Sequence, residues 1–586
     1  MGCLLRSKLV ALAGYRYSRT DLSRGLDGTG SLLMRLFRQR GLVFFFLFLC
    51  GRTLLALGPH EVLLLVNASS PRSMEVANHY IRERQIPARN VIYLELPYGE
   101  KDTPIEIRPA DFTRHIWDPA RAELQQRGLD RHVLAWVYSI DFPIRISGPV
   151  SVSIQGLTFV RNQLPDAELI RKGQYASILY AGPDPGGPAG APSRSFDRYA
   201  AHYGGQMPLP SMMLGFCGPH GLTVEETVAQ LRRAGQADGK RPQGSVYFWT
   251  SADIRSTCRE WQYLPVVSEL KNLSVSALVS TSPPPPELPL MGMMAGTVWV
   301  APSYMKNLQP GSVGEHLTSM AAMYDRKEQG KATDWLRAGA AASSGAVTEP
   351  YALWPKFAHA RFFVHYAFGC TILESYYQAI RSPMQILLVG DPLAAPWAFL
   401  MELDVREKGE RAGDAEEITF LFDVRKVPSL LSPEFHCFVD GKFVGRVNKR
   451  EWALNVQSLS DGYHELRVVA VLPGPIGFLA HDTIGFTLDR RGRGVEVEGP
   501  GEFSLNTSSQ AVDIALKVRG YPIRTALICN ERLIAVSKAD MTGELSFNPA
   551  LAGAGPVCIQ AQAEYEDGEI VRSVPLNLNI GRTEDN

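Results

Sequence analysis

The sequence lacks most of the short motifs that identify an enzyme or a cofactor site. It has only 8 cysteines in 586 residues, and no two of them form a CxxC pair. It also contains no HExxH motif, no GxGxxG loop and no GxSxG nucleophile turn. We therefore predict no metal site, no cofactor and no nucleotide, and a serine hydrolase of the common type is not indicated.

An excess of either charge is missing too. Lys and Arg number 60, Asp and Glu number 60, and the formal net charge is +0. A protein that neutralises nucleic-acid phosphates needs a basic surface, so nucleic acid is not an expected partner. The balanced charge also gives no sign of an acidic, disordered tail.

A basic segment and then an apolar one stand near the start of the chain. Three arginines between Arg35 and Arg40 precede the apolar run Leu42–Cys50, and Ala56–Gly58 follows. This order is typical of a signal peptide and predicts a leader over residues 1–58, with Met34 as an alternative start. The run is short for crossing a bilayer. An uncleaved anchor is the alternative that stays open.

The predicted leader determines where we expect the protein to be found. The exported protein should begin near Pro59 and reside in the periplasm, at the cell surface or outside the cell. Such compartments permit disulfides. Cys529 and Cys558 could then bridge two strands of one domain, and isolated buried thiols are the equal alternative.

Apolar runs alternate with helical patterns between Glu61 and about Leu400. Ser70 and Pro71 stand where a helix N-cap and the first helical residue are expected. Continuous apolar runs are typical of strands buried in a parallel sheet. We predict a doubly wound, mostly parallel α/β domain over residues 59–400. Its strands are expected at Glu61–Asn67, Asn90–Leu96, His132–Ile140, Gly244–Trp249, Gly296–Pro302, Ala340–Val347 and Gln385–Pro392.

After residue 400 the pattern changes to short alternating strands with frequent turn residues. Asp440 and Gly441 stand between two such strands and predict a hairpin turn. The charged stretch Glu407–Glu417 is expected near the domain junction. Two all-β, immunoglobulin-like sandwiches, over residues 401–490 and 491–586, fit the length and the strand spacing. Spacer domains are the preferred interpretation of both.

The strand ends of the α/β domain suggest a site, because ligands gather beyond the carboxyl ends of parallel strands. We expect Thr348 and Glu349 to leave the small-residue strand at the rim of a cleft that faces His316, with Glu315 and His316 beginning a helix. The catalytic candidates are Glu315, His316, Glu349 and Asp391, and the substrate-binding candidates are Asp141, Ser303, Tyr304, Thr318, Ser319 and Thr348.

Each candidate also has a purely structural interpretation. A carboxylate at Glu315 suits a helix N-terminus, His316 suits a half-buried position, and Asp391 before Pro392 shapes a turn. The sequence leaves both interpretations open.

Several long segments resemble an exported bacterial protein family of unknown function. That family is recorded mainly in bacteria that carry exosortase, a cell-envelope protein-sorting enzyme, so the resemblance implies an exported envelope protein and names no reaction. The likeness covers most of residues 61–398. Its segments are VLLLVNASSPRSMEVANHYIRERQIPARNVIYLELP, PGSVGEHLTSMAAMYD, ATDWLRAGAAASSGAVTEPYALWPKF, ARFFVHYAFGCTILESYYQAI and QILLVGDPLAAPWA.

The order of segments also resembles the caspase fold, especially gingipain-type cysteine peptidases. There a strand leads to the catalytic cysteine, a small-residue strand follows, and an apolar strand ending in Gly-Asp-Pro closes the domain. GTVWVAP, GAAASSGAV and LLVGDP stand in this order here, but Ser303 and Tyr304 take the place of the cysteine, and no His-Gly pair lies in the loops just before them. The resemblance therefore implies the fold without a gingipain-type peptidase activity, because that mechanism needs a thiolate beside an imidazole.

Two functions are compatible with these observations. The first is an exported envelope protein whose caspase-like domain binds or scaffolds an envelope protein or polysaccharide. The second is a hydrolase of surface protein or polysaccharide that uses a site at the carboxyl ends of the strands. A tight cleft that joins His316 to Glu349 or Asp391 would favour the enzyme.

Overall fold

The computed structural model describes residues 56–399, 401–409, 416–427, 431–472, 476, 478–498, 505–507, 511–537 and 543–582. Most of the predicted leader, including its apolar run, lies outside these residues. Within them, no helix is both long and apolar enough to span a membrane. The described α-helices are α1 Pro71–Arg84, α2 Pro109–Phe112, α3 Asp118–Gln126, α4 Ile154–Phe159, α5 Ala167–Arg171, α6 Phe196–Tyr203, α7 Val224–Gly235, α8 Ile254–Thr257, α9 Tyr263–Asn272, α10 Ala332–Arg337, α11 Phe362–Ala367 and α12 Ile372–Ala379.

Thirteen strands lie within the described residues before residue 391. Ten of them form one sheet in the order β2-β1-β4-β7-β13-β12-β11-β10-β8-β9, and the other three form a small separate sheet. The strands are β1 Val62–Asn67, β2 Val91–Leu94, β3 Glu106–Ile107, β4 Ala135–Tyr138, β5 Arg145–Ile146, β6 Val152–Ser153, β7 Ser211–Met213, β8 Ser245–Trp249, β9 Ser276–Ser280, β10 Leu290–Gly296, β11 Leu308–Leu317, β12 Ala342–Ala346 and β13 Ile386–Gly390.

The large sheet consists of two parallel blocks that run in opposite directions. In block A, strands β2, β1, β4, β7 and β13 are parallel to one another. In block B, strands β12, β11, β10, β8 and β9 are parallel to one another. The blocks meet where β12 and β13 pair antiparallel, with Ala342 opposite Gly390. The carboxyl ends of block A therefore lie at the opposite edge of the sheet from the carboxyl ends of block B.

Helices cover both faces of this sheet. In β1, Leu64 belongs to the apolar core on one face and Leu65 to the core on the other, which explains the continuous apolar run in the sequence. Helix α1 begins as predicted, because the Ser70 side chain accepts the N–H of Ser73 and Pro71 occupies the first turn. The predicted doubly wound, mostly parallel α/β class is confirmed.

Two predicted elements are wrong. Gly296–Pro302 is not a strand, because β10 ends at Gly296 and a connection follows it. Glu315 and His316 do not begin a helix, because both lie in the second half of β11. Methionine and glycine in β10 and Pro310 in β11 have low strand propensity. These segments form strands nevertheless, because their side chains are buried on both faces of the sheet. The other six predicted strands are present.

The rest of the described chain is all-β, as predicted. Two apolar cores lie between antiparallel sheets, one within residues 401–488 and one within residues 495–580. The strands are β14 Glu402–Glu407, β15 Glu417–Arg425, β16 Glu434–Val439, β17 Lys442–Val447, β18 Glu451–Asn455, β19 Gly462–Leu472, β20 Phe478–Leu488, β21 Gly494–Glu498, β22 Leu505–Asn506, β23 Val512–Arg519, β24 Arg524–Cys529, β25 Arg532–Val536, β26 Glu544–Phe547, β27 Gly555–Glu564, β28 Ile570–Arg572 and β29 Leu576–Gly581.

Two local predictions in this part have different outcomes. The hairpin turn at Asp440 and Gly441 is confirmed, because it joins β16 to β17. The prediction that the charged stretch Glu407–Glu417 lies near the domain junction remains a prediction, because residues 410–415 lie outside the described residues. The two ends of the stretch belong to β14 and β15, which pair with each other.

The cysteines of the described residues are free thiols. Cys529 lies opposite Ile559 in the pairing of β24 with β27, so Cys558, one residue earlier, directs its side chain to the other face of the sheet. Cys529 and Cys558 therefore form no disulfide bridge.

Candidate functional site

Block B brings several of the predicted residues to one edge of the sheet. Thr297 follows β10, Thr318 follows β11 and Thr348 follows β12. These strands are neighbours, so each step from one strand end to the next is about 5 Å. By the rule for strand carboxyl ends, this edge is where block B would hold a ligand.

His316 lies near the end of β11 and is buried. Its Nε2 atom is 2.8 Å from the carbonyl oxygen of Thr297, and because a carbonyl only accepts, Nε2 carries the proton. The ring also packs edge-on against Trp335, with 6.2 Å between the ring centroids. Burial lowers the pKa of His316 to about 4, so the ring is neutral at pH 7 and is a weak base.

The segment before helix α10 closes over the ends of β10 and β11. The Thr318 hydroxyl donates to the side-chain oxygen of Gln329, and the N–H of Gly330 donates to the carbonyl of Val298 at 3.0 Å. Thr318 is buried and Ser319 is half-buried. Thr318 thus serves as a link between two segments and has no free hydroxyl proton to offer a ligand.

Glu315 points to the other face of the sheet, into the apolar core. Its Oε1 atom is 3.2 Å from Nη1 of Arg259, and its Oε2 atom accepts from the Ser344 hydroxyl at 2.7 Å. Burial raises the pKa of Glu315, and Arg259 and Ser344 oppose that shift. Adjacent residues of a strand alternate between faces, so Glu315 and His316 cannot act on one substrate group.

Thr348 and Glu349 leave β12 at the same edge as His316. Thr348 is half-buried and Glu349 is exposed, where its Oε1 atom accepts the N–H of Tyr351 at 3.2 Å. Among the residues that the structure describes, no hydrogen bond or ion pair joins Glu349 to His316. The two residues share an edge of the sheet, and the expected cleft between them stays a prediction.

Ser303 and Tyr304 lie in the connection between β10 and β11, within the 3-10 turn Pro302–Met305. They are not at a strand end, since β10 already ends at Gly296. The Tyr304 ring packs edge-on against Trp249, with 5.8 Å between centroids. The strand that directly precedes the small-residue strand is β11, and Thr318 and Ser319 follow it.

Asp391 lies at the opposite edge, because it follows β13 of block A. Its carboxylate accepts from Nε of Arg84 at 2.9 Å, from the Tyr80 hydroxyl at 3.2 Å and from the N–H of Leu393 at 3.0 Å. Arg84 also pairs with Asp238. The network is buried and its acceptors are filled, so the Gly-Asp-Pro segment is fixed as a turn that holds helix α1 against the sheet.

Asp141 also lies at the edge of block A, after β4. Its carboxylate accepts from the Ser70 hydroxyl at 2.6 Å and from Nη2 of Arg72 at 2.9 Å, at the start of α1. Burial raises the pKa of Asp141. Its φ of 60° is uncommon for a residue other than glycine and is held by the Asn67 side chain, which donates to the Asp141 carbonyl at 2.8 Å. Asp141 is thus satisfied by its own chain.

The described residues offer neither a metal site nor an accessible nucleophile beside an imidazole. Within the described residues, no group of three or more His, Cys, Asp or Glu side chains could hold a metal ion. A serine–histidine contact does occur elsewhere, with 2.7 Å between Ser193 Oγ and Nδ1 of His365, but both residues are buried. Burial and the neighbouring Arg361 hold the pKa of His365 well below its usual range.

Three residues near the carboxyl edge of block B were not among the predicted site residues. Arg259 is a fully buried cation, and nothing in its local sequence distinguishes it from a surface arginine. Trp299 was placed inside a strand but lies in the connection after β10, where it is 55% exposed. Tyr351 is 59% exposed and has a φ of 57°, and neither property can be predicted from its position in the polar segment.

The sequence matches no family model and no curated protein. Among solved structures, the chain is similar to the Arg-specific cysteine proteinase gingipain R, with 10% identity and a TM-score of 0.42 over 74% of this chain and 99% of that one. A complex of the RgpB pro- and mature domains of Porphyromonas gingivalis matches with 9% identity and a TM-score of 0.39 over 72% of this chain and 99% of that one. Fibronectin(III)-like modules of Clostridium thermocellum CbhA match with 14% identity and a TM-score of 0.13 over 30% of this chain and 95% of that one.

Proposed function

We propose that the chain is an exported cell-envelope protein of an exosortase-carrying bacterium, and that its α/β unit binds an envelope polysaccharide at the carboxyl edge of block B. The β sandwiches act as spacers in this proposal. The observation that carries it is a pair of exposed aromatic side chains, Trp299 and Tyr351, on the connections that leave this edge.

We expect the two aromatic residues to contact one extended ligand. Trp299 follows β10 and Tyr351 follows β12, so the ends of their strands are two steps apart, or about 10 Å. Pyranose rings carry C–H groups on their faces and hydroxyls on their rims. Exposed aromatic rings provide a rigid apolar surface for such faces, and the carboxylate of Glu349 beside Tyr351 provides an acceptor for hydroxyls.

The conformation of Tyr351 supports a role beyond packing. A positive φ is strained for a bulky residue and persists only where the surroundings hold it. Here the Glu349 carboxylate accepts the N–H of Tyr351, and the Lys356 ammonium lies 5.9 Å from the centre of its ring. The surroundings thus present the ring to solvent, where it contributes little to the core.

The hydrolase has less support at this edge. His316 is a neutral, weak base whose ring proton is donated to a backbone carbonyl. Glu315 and Asp391 are both engaged in buried ion pairs, and they lie on another face and at another edge. Among the described residues of this edge, no hydroxyl or thiol contacts an imidazole, which is the pairing that nucleophilic catalysis needs.

A glycan array tests the proposal. The wild-type chain should bind a subset of bacterial envelope polysaccharides, and Trp299→Ala and Tyr351→Ala should each weaken that binding roughly tenfold or more, because central aromatic anchors dominate binding energy. Tyr521→Ala is the matched control, since Tyr521 is the most exposed tyrosine of the second sandwich and lies far along the chain.

Two results would reject polysaccharide binding at this edge. One is a wild-type chain that binds no glycan on the array, and the other is equal binding by the wild type and both edge variants. Release of reducing ends from a bound glycan by the wild type, lost in Glu349→Gln, would instead favour the hydrolase.

A further inference from the structure

The first β sandwich docks onto the α/β unit through a face that contains an unusual number of histidines. On the sandwich side, His436 of β16 and His481 of β20 both lie in register with Val469 of β19, so they share one face of the sheet. On the α/β side, His60 precedes β1 and His132 precedes β4. We call these four residues the histidine cluster.

One aromatic ring holds the two sides of the cluster together. Phe438 of β16 packs edge-on against the rings of His60 and His132, with 5.1 Å and 5.4 Å between centroids. The next position in register is Arg467 of β19, which donates from Nη1 to the carbonyl of Gln85 at 2.9 Å. The cluster is therefore part of the contact between the two parts of the molecule.

The hydrogen-bonding capacity of the cluster is only partly used. The Nδ1 atoms of His60, His132 and His481 are buried and have no hydrogen-bond partner in the structure, and neither has Nε of Arg467. A buried polar group without a hydrogen-bond partner raises the free energy of the folded state, and a buried charge at the same place would raise it more. The docked state therefore accepts these rings only as neutral imidazoles.

The charges that face the cluster act mainly in the same direction. Each histidine has an arginine nearby whose positive charge opposes protonation of the imidazole. Arg467 acts in this way on His60 and His481. Arg89 does so on His132, and Arg446 on His436. Two carboxylates act in the opposite direction and favour protonation, Asp130 on His132 and Glu434 on His436. Glu465 acts on Arg467, and Asp440 acts on Glu465. Glu434 is 3.4 Å from Nε2 of His436.

We propose that this interface is an acid-sensitive latch, in which protonation of the histidine cluster loosens the first β sandwich from the α/β unit while both parts stay folded. Several positive charges would then share one buried surface with Arg467. His132 and His481 are half-buried, so protons reach the cluster from solvent.

The sign and size of the effect follow from linkage. Burial and nearby cations lower the pKa of His132 and of His481 to about 4, and they also lower the pKa of His60 and His436. Free histidine titrates near 6.5, so the released state binds protons more tightly, and docking weakens as pH falls below about 6.5. A single histidine with a pKa of about 4 when docked and about 6.5 when released lowers the docking equilibrium constant roughly thirtyfold at pH 5.

The second sandwich makes contacts that do not depend on the cluster. Asn78 of α1 donates to the carbonyls of Ala552 and Ala554 at 3.0 and 2.8 Å, and Arg532 pairs with Glu95 at 2.8 Å. The latch therefore predicts a local loosening near Phe438 and no separation of the whole β part.

Hydroxyl-radical footprinting on the full chain tests the latch, because Phe438 packs against His60 and His132 across the contact. Between pH 7 and pH 5, modification of Phe438, normalised to the exposed Tyr521, should rise at least tenfold. The amides of β1, β4, β16 and β19 should keep their protection from hydrogen exchange, because their ladder bonds lie within one part or the other. The variant His60→Gln/His132→Phe/His436→Gln/His481→Gln should show the same low modification of Phe438 at both pH values. His202→Gln, which removes an exposed imidazole from α6, should behave as the wild type.

The latch is overturned if modification of Phe438 is the same at pH 7 and pH 5, or if it rises as much in the fourfold variant as in the wild type. It is also overturned if amides of β1, β4, β16 or β19 lose protection at the same pH, because the change is then unfolding. Should the fourfold variant fail to fold, His132→Phe alone should reduce the rise. An NMR titration of the wild-type imidazoles should then show the cluster titrating only as Phe438 becomes reactive, and titration near pH 6.5 with Phe438 still protected rejects the latch.

Discussion

Arg259 and Glu315 form an ion pair inside the α/β unit, with 3.2 Å between Nη1 and Oε1 and almost no side-chain exposure on either residue. The guanidinium also donates to the carbonyl of Ala295 at 2.8 Å. The pair thus joins the connection after β8 to β10 and β11. Because its carboxylate is bound to Arg259 on the core face of the sheet, Glu315 stabilises the strands at the edge of block B and cannot reach a ligand there.

Removing one partner of this pair should destabilise the protein strongly. Glu315→Leu leaves Arg259 as an uncompensated buried charge, and we expect it to lose about 3–5 kcal/mol in the free energy of unfolding. The double variant Arg259→Met/Glu315→Leu should recover most of that loss, because it replaces the pair with apolar groups. Urea unfolding measures both, and equal losses in the single and double variants would contradict this account.

Ala342 of β12 tests how tightly the small-residue strand is packed. Ala342 is fully buried and lies beside Val313 and Gly390, so Ala342→Leu should cost about 1–3 kcal/mol through overpacking. Ala201→Leu, on the exposed side of α6, is the size-matched control and should change stability by less than about 0.5 kcal/mol. A similar loss in both variants would mean that the strand tolerates larger residues.

Glu349→Gln separates folding from binding at the edge of block B. The side chain is exposed, and the glutamine oxygen can still accept the N–H of Tyr351, so the thermal midpoint should stay within about a degree of the wild type. Under the proposed function, affinity for the bound glycan should fall several-fold because a charged acceptor is lost. Unchanged affinity would exclude Glu349 from the ligand site.

His316 should make stability depend on pH. Its pKa is about 4 in the folded state, below the ordinary value, so the unfolded chain binds the proton more tightly and stability falls as pH drops from about 6.5 toward 4. His316→Gln should flatten the slope by up to about 1.4 kcal/mol per pH unit in this range. Urea unfolding at a series of pH values measures the slope, and a slope unchanged from the wild type would refute the assignment.

If the proposed leader is removed, the mature chain should begin at or before Ala56. Ala56 and Leu57 are buried, and the N–H of Leu57 donates to the Glu374 carboxylate at 3.0 Å, so a start near Pro59 would remove these contacts. Mass spectrometry of the protein from the envelope fraction gives the first residue. A start at Pro59 would show that the fold does not need them.

Local patterns were enough to predict most of block A and the small-residue strand. The run at Val62–Asn67 and the Ser70–Pro71 helix start are determined by apolar continuity and capping, which depend on near neighbours in the sequence. Strands β10 and β11 could not be predicted in this way. Their residues have weak strand propensity, and their conformation is set by partners far along the chain.

The candidate site was harder to predict than the fold, because strand direction has no local signal. The rule for strand carboxyl ends placed Asp391 together with Glu349 on the assumption that β12 and β13 are parallel. They are antiparallel, so the two carboxylates lie at opposite edges of the sheet. Thr348, Glu349 and His316 were correctly placed at one edge, and the face to which each side chain points was not predicted.

The position of β13 also determines how the sheet is completed during synthesis. In the described sheet β13 lies between β7 and β12, yet it is the last of the ten strands in the chain. Until residues 386–390 leave the ribosome, β7 and β12 each have an unpaired edge, and open edges invite wrong pairing. A nascent chain that stops before β13 thus has two unjoined half-sheets, and translation of this one strand unites them.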